Sequence, residues 1–150
     1  MKLDNTIEIA ANINDVWDGL NDPKLLKSCI PGCTSFTGSA EAGFDATVTQ
    51  KIGPVKATFK GSVSISDVVK NDSYKISGEG KGGAAGFAKG AARVKLKSIH
   101  RKTELSYEVE AIVGGKIAQL GSRLIDGFAK NMAKKFFERF KAQVEIPLNQ

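Results

Sequence analysis

From Ile117 to Val144 the chain reads IAQLGSRLIDGFAKNMAKKFFERFKAQV, and this stretch dictates what the rest must do. Apolar residues recur at Ile117, Leu120, Leu124, Phe128, Met132, Phe136 and Phe140, with Gly121, Ile125, Ala129, Ala133 and Phe137 in the neighbouring column. The spacing predicts one amphipathic helix with an apolar face two columns wide. No Pro interrupts it, so about seven turns are expected over 117–144. A helix of that length needs a partner for its apolar face. Its i, i+4 repeat drifts around the axis, as suits a helix crossing a curved surface, and the only upstream material able to supply such a surface is a set of strands.

Those strands begin at once. Leu3–Ala10 alternates as a half-buried strand ending near Ala11. Asn12 or Asn14 then caps a short helix that puts Val16, Trp17 and Leu20 on one side. Asp22-Pro23 starts a second, with Leu25, Leu26, Cys29 and Ile30 inward, and Pro31-Gly32 stops it. From Cys33 to Val113 every segment carries period-two alternation. Cys33–Gly38 is a short strand, and Phe44, Ala46, Val48 and Gln50 form the inward row of the next. Gly53-Pro54 turns the chain into Val55–Ile65. Asn71-Asp72 leads to Tyr74, Ile76, Gly78 and Gly80, and a glycine-rich link to Ala88–Leu96. Arg101–Thr103 leads to Leu105–Val113. Lys and Arg on one strand lie beside Glu on the next, which favours antiparallel pairing. The expected fold is α+β: a curved antiparallel sheet of about seven strands gripping a long C-terminal helix, with two short helices after the first strand, in a single domain over 1–150.

At 150 residues a core of ordinary size is available, since a domain this long buries roughly 68–70% of its unfolded surface. Apolar runs are too short for a membrane span, and the N-terminal MKLDNTIEIAANIND is too acidic and polar for a signal peptide, so the expected location is cytoplasmic. Seven Lys or Arg against two acids between Lys116 and Lys141 hold +5 of the chain's net +6. That charge is either a solvated helix face or a contact with an acidic protein or an anionic membrane, for which Lys130, Lys134, Lys135 and Phe87 are the candidate residues. No stacking platform or nucleic-acid motif accompanies it, so nucleic acid is not an expected partner. Cys29 and Cys33, in CIPGC, lack the spacing of a redox pair or of a zinc site.

The inward row shrinks in mid-sheet. Gly61, Gly78, Gly80, Ala88, Gly90 and Ala92 stand where a packed core would place Val, Ile or Leu. Either large residues such as Trp17, Phe59, Phe87 and Phe128 fill the space, or a ligand does; glycine also permits a strong bend. For a ligand cavity the expected lining is Trp17 and Leu20 from the first helix and Leu26 from the second. The strands would add Phe44, Val48, Phe59, Gly78, Phe87, Gly90 and Tyr107, and the long helix Leu120, Leu124 and Phe128. Among these positions there is no carboxylate pair, no nucleophile with a base and no metal cluster, and the single histidine, His100, falls at a turn. No catalytic or metal-binding residue is therefore assigned. GKGGAAGFAKG lacks the G-x-x-x-x-G-K-[ST] pattern of a phosphate loop and is expected to be a mobile lid with Phe87 at its tip.

The element order resembles that of the START-like, or polyketide cyclase-like, superfamily. Within it, IPGC (30–33), KATFKG (56–61), GEGKGGAAGFAKG (78–90) and VGGKIAQLGSRLID (113–126) resemble the family of the G subunit of carbon monoxide dehydrogenase, over nearly the full chain. The resemblance implies a helix-grip fold around a hydrophobic pocket and a non-catalytic accessory to molybdenum hydroxylases of the carbon monoxide dehydrogenase type. It implies as partners the subunits of such an enzyme, an apolar small molecule such as a quinone or lipid, and the inner membrane surface, with no resident cofactor beyond that ligand. The alternative expectation is a surface-acting assembly or membrane-recruitment factor that needs no ligand.

Overall fold

The computed structural model describes residues 1–145. Its elements run β1 (Lys2–Ile9), α1 (Ile13–Leu20), α2 (Pro23–Cys29), β2 (Cys33–Ser39), β3 (Gly43–Ile52), β4 (Val55–Val69), β5 (Ser73–Lys81), β6 (Phe87–Ile99), β7 (Lys102–Gly114) and α3 (Ser122–Val144), with short 3-10 turns at Gly83–Ala85 and Lys116–Leu120. The strands form one antiparallel, curved, seven-stranded sheet in the order β1-β7-β6-β5-β4-β3-β2. Consecutive hairpins run from β2 to β7, as the alternation predicts, and β1 closes on β7. On the outer face Arg93 stands opposite Glu108, Lys97 opposite Glu104 and Lys89 opposite Glu79.

The two short helices are made by their caps. Asn12, not Asn14, accepts the Asp15 amide at 2.9 Å, and Asp22 accepts that of Lys24 at 3.0 Å, satisfying donors a helix start leaves free. Strand β4 runs beyond Ile65 to Val69 through a bulge in which Asp67 takes φ 52°.

The long helix starts later than its periodicity predicts. Gly121, at φ 93°, separates α3 from the 3-10 turn Lys116–Leu120. A helix running straight through from 117 would keep Ile117 on its shaft; the break lets the turn drive it inward, where it is 2% exposed. The apolar stripe of α3 therefore begins at Leu124.

The core has two parts. Around Ile9, Val16, Trp17, Cys29, Tyr74, Leu105 and Phe140 the short helices, the sheet and the C-terminal half of α3 pack together. A smaller cluster of Ile52, Ala85 and Ile117, with Phe59, Val113, Leu120 and Phe128 against it, lies at the opposite end of the sheet.

Candidate ligand cavity

Within the smaller cluster, under the N-terminal half of α3, lies a cavity of about 260 Å³. Val48, Gln50, Ile52 and Phe59 form one wall, Ala88, Ala111 and Val113 the sheet floor, and Ile117, Ile125, Phe128 and Ala129 the roof, with Met1 at the β1 edge. The wall exposes no polar atom. Gln50, the one polar side chain of the inward row in this wall, donates its amide to the Pro31 carbonyl. The lining can thus hold hydrocarbon and offers no acid, base or nucleophile to it.

Of the expected lining residues, Val48, Phe59 and Phe128 lie in this wall. Leu120 packs behind it against the small cluster, whereas Leu124 sits outside, 40% exposed beside Gly53. Trp17 and Leu20 belong to the packed part of the core, with the Trp17 ring edge-on to Tyr74 at 5.5 Å. Leu26 is buried on α2, and Phe44 is committed to Phe36 at 5.0 Å. Tyr107 stacks on Phe137 at 5.1 Å, in a groove between β1 and α3 that Lys130 and Lys134 also border. Burial pushes its phenol pKa up, partly offset by a hydrogen bond with Asn5.

Gly78 and Gly90 do not line the cavity. A Cβ on Gly90 would stand 2.5 Å from the Glu110 carbonyl oxygen and 2.9 Å from the Ala111 Cβ, and one on Gly61 would stand 2.7 Å from the Glu79 oxygen. These glycines exist for close strand approach where the sheet bends, and little of the missing volume is open space. Phe87 is also displaced from its expected place. It is the first residue of β6, paired between Lys81 and Gly114, and its ring lies on the outer face against Gly114, 40% exposed. The inward tip of the glycine-rich segment is Ala85, 7% exposed, and hydrogen bonds from Gly82 to Gly86 and from Ala85 back to Gly82 close the turn around it. Ala85 packs inward with Ile52 and Ile117.

The lining residues that sequence reasoning missed are mostly alanines and isoleucines. Ala88 and Ala111 stand on the inward alternation, and Ile125 and Ala129 in the helix's second column, so the signal is present in the spacing but is outweighed by the larger aromatics. Cys29 and Cys33 are free thiols whose pKa burial raises. His100 is exposed at the β6–β7 turn with φ 46°. Lys130, Lys134 and Lys135 are exposed on α3, and none joins an ion pair among the described residues. No group of His, Cys, Asp and Glu among the described residues could hold a metal.

The family model for the G subunit of carbon monoxide dehydrogenase (CoxG) matches residues 6–145. The chain belongs to that family. A conserved protein from Geobacillus kaustophilus is similar at 30% identity and a TM-score of 0.90, covering 97% of this chain and 95% of that one. A START superfamily protein from Mycobacterium smegmatis is similar at 14% identity and a TM-score of 0.71, with 96% and 97% covered. Protein CV1439 from Chromobacterium violaceum matches at 14% identity and a TM-score of 0.70, with 97% of each chain covered. The last two show the START-like fold alone. No curated protein sequence matches. In this CoxG family member the cavity lies between sheet and helix. No helix among the described residues is long and apolar enough to cross a membrane.

Proposed function

We propose that this protein is a non-catalytic carrier that holds the hydrocarbon part of a quinone-like or other lipid molecule under α3 and links a molybdenum hydroxylase of the carbon monoxide dehydrogenase type to the membrane electron acceptor. The observation that carries the reading is the cavity wall without polar atoms. At about 260 Å³ it lies just under the roughly 300–1,000 Å³ usual for small-molecule sites, so a ring with a short prenyl segment fits better than a whole long-chain lipid. A wall of this kind gains by excluding water from hydrocarbon and has nothing with which to bind a polar substrate. Electron transfer then belongs to the ligand and the enzyme, the protein contributing shape and desolvation.

Ala129 is the point of test, because it lines the cavity from a helix where a larger straight-chain residue is welcome. Native mass spectrometry of the purified chain loaded with a short-chain quinone should show a bound molecule, and Ala129→Leu should reduce loading at least about tenfold without loss of stability. Equal loading of variant and parent would remove the cavity as the site; no loading of either would remove the carrier reading.

A second reading is favoured by the exposed cations of α3. Lys130, Lys134 and Lys135 are solvent-exposed on a helix whose other face is packed, which suits a surface-acting assembly or recruitment factor. Charge reversal of all three abolishes capture of the enzyme subunits in that case, with ligand loading intact.

A further inference from the structure

The two edges of the sheet are finished differently. Strand β2 is interrupted by a bulge between Cys33 and Ser35 and packed by α2. Strand β1, the other edge, pairs with β7 from Lys2 to Ile9 without a shift. Met1 and Ala111 exchange both backbone hydrogen bonds, and an antiparallel ladder repeats that exchange at every second residue. Leu3, Asn5, Ile7 and Ile9 therefore bond β7, while Lys2, Asp4, Thr6 and Glu8 turn their backbone groups away from the sheet. Side chains satisfy part of this row: Asn5 Oδ1 accepts the Thr6 amide at 2.8 Å, and the Glu145 carboxylate accepts the Ala10 amide at 2.6 Å. The amides of Asp4 and Glu8 meet no acceptor among the described residues. Charged side chains often guard an open edge, but here Lys2 is drawn to Glu110 and Glu8 to Lys102, both on β7.

Alongside this edge runs the groove between β1 and α3, about 460 Å³ in volume. Leu3, Ile7 and Phe137 give it apolar surface, and Lys130, Lys134 and Lys141 border it without an ion pair among the described residues. Asp4 and Glu138 are its acids. We infer that β1 accepts an added strand: an extended acidic segment of a partner protein, bonded to the edge amides, with apolar side chains on Leu3, Ile7 and Phe137 and carboxylates on the three lysines. Main-chain bonds supply affinity in such a mode and the alternate side chains supply specificity. The sign of the occupant follows from the lysines and from Glu145, a carboxylate that already accepts an amide of this edge. Asp4 and Glu8 lie on the outer-facing alternation, so the segment's acids belong on its inward positions, where they avoid like charge. A second copy of this chain fits less well, because pairing β1 with β1 turns the lysine border of one α3 toward that of the other. The inference rests on the recruitment reading for its purpose and gives that reading a partner chemistry; Lys135, on α3 but outside the groove, takes no part.

Amide NMR titration of the labelled full chain with the peptide acetyl-Glu-Thr-Val-Thr-Val-Thr-Glu-amide tests the assignment. As a strand, the peptide carries its glutamates and valines on one face and its threonines on the other. Shifts should centre on Asp4, Thr6, Glu8 and Phe137 at peptide concentrations up to about 1 mM. Lys130→Gln with Lys134→Gln should weaken binding about two- to fivefold for each charge removed, and Lys135→Gln should leave it unchanged. Asp4→Pro should abolish binding while the fold persists, since the lost donor takes no part in the ladder. Methylating the peptide nitrogens of the threonines in one sample and of the valines in another should abolish binding in only one of them, whatever the variants do to folding. Equal effects of the two methylations overturn the inference, as does binding retained by the Asp4→Pro chain. An absence of shifts, shifts confined to other elements, or equal binding of a peptide with lysines in place of the glutamates also overturns it. Concentration-dependent shifts of the same amides without peptide overturn it in favour of a second copy. Capture of hydroxylase subunits reports separately: its failure with peptide binding intact removes the recruitment reading and leaves the strand site standing.

Discussion

The two halves of α3 do opposite things with one kind of apolar stripe. The apolar face of its C-terminal half is fully engaged: Phe136, Phe137 and Phe140 contact one another and Phe137 stacks on Tyr107, Gly19 of α1 comes so close that a Cβ there would lie 3.0 Å from Val144, and Glu145 accepts the Ala10 amide at 2.6 Å. Its N-terminal half has no side-chain cap, begins at a glycine with nothing within 4 Å of a would-be Cβ, and roofs a void with Ile125, Phe128 and Ala129. One half is stapled by aromatic rings and the other is left under-filled. The stability of the fold is thereby concentrated away from the site, which lets a cavity persist at the other end.

The largest effect should come from breaking the packed half. Phe140 is fully buried, so Phe140→Ala should cost about 3–5 kcal/mol, read as a fall in the denaturation midpoint at constant slope. If that loss were small, the division of labour along the helix would be wrong. Next is the sheet bend. Gly90→Ala sets a methyl 2.5 Å from the Glu110 carbonyl oxygen and should cost roughly 1–3 kcal/mol. It should also disturb the β6–β7 amides in an NMR spectrum. A neutral outcome would mean that the glycine was kept for space after all.

Burial also leaves a mark in the pH profile. Tyr74 sits edge-on to Trp17 in the packed half, and desolvation raises its phenol pKa well above the ordinary value of 10.0. The unfolded chain therefore releases that proton first. Stability is full below the unfolded tyrosine pKa of about 10 and falls from there upward at about 1.4 kcal/mol per pH unit. Tyr74→Phe should remove this part of the alkaline loss in chemical denaturation, whereas Tyr107→Phe should remove less, its upward shift being partly offset by Asn5.

Element order, the hairpin pairing of β2 through β7 and the grip of sheet on helix were legible in the sequence because each rests on local periodicity, whereas the closure of β1 on β7 joins segments about a hundred residues apart. The site was less so. Gly90 and Ala88 look equivalent on the inward alternation, yet one abuts a neighbouring backbone and the other faces a void. Which is which depends on how closely adjacent strands approach, and no residue spacing encodes that. Phe87 misled for a related reason: period two places it on the outer face with Lys89, but its apolar character drew it to the cavity. The break at Gly121 was hidden because Ile117 and Leu120 keep the helical period across it.

The smallest predicted effect separates the two kinds of glycine most cleanly. Gly80 lies on the same inward row as Gly78 and Gly90, but a Cβ built there meets nothing closer than the Phe59 Cβ at 4.0 Å, an ordinary contact, and its φ lies outside the left-handed region. The added methyl then costs no strain and removes conformations available only to the unfolded chain. Gly80→Ala should therefore stabilise the protein by about 0.4–1 kcal/mol, seen as a small rise in Tm with quinone loading retained. Should Gly80→Ala instead destabilise as Gly90→Ala does, every glycine of the row would be serving the bend. The under-filled half would then be an incidental product of sheet curvature, with no separate provision for a ligand.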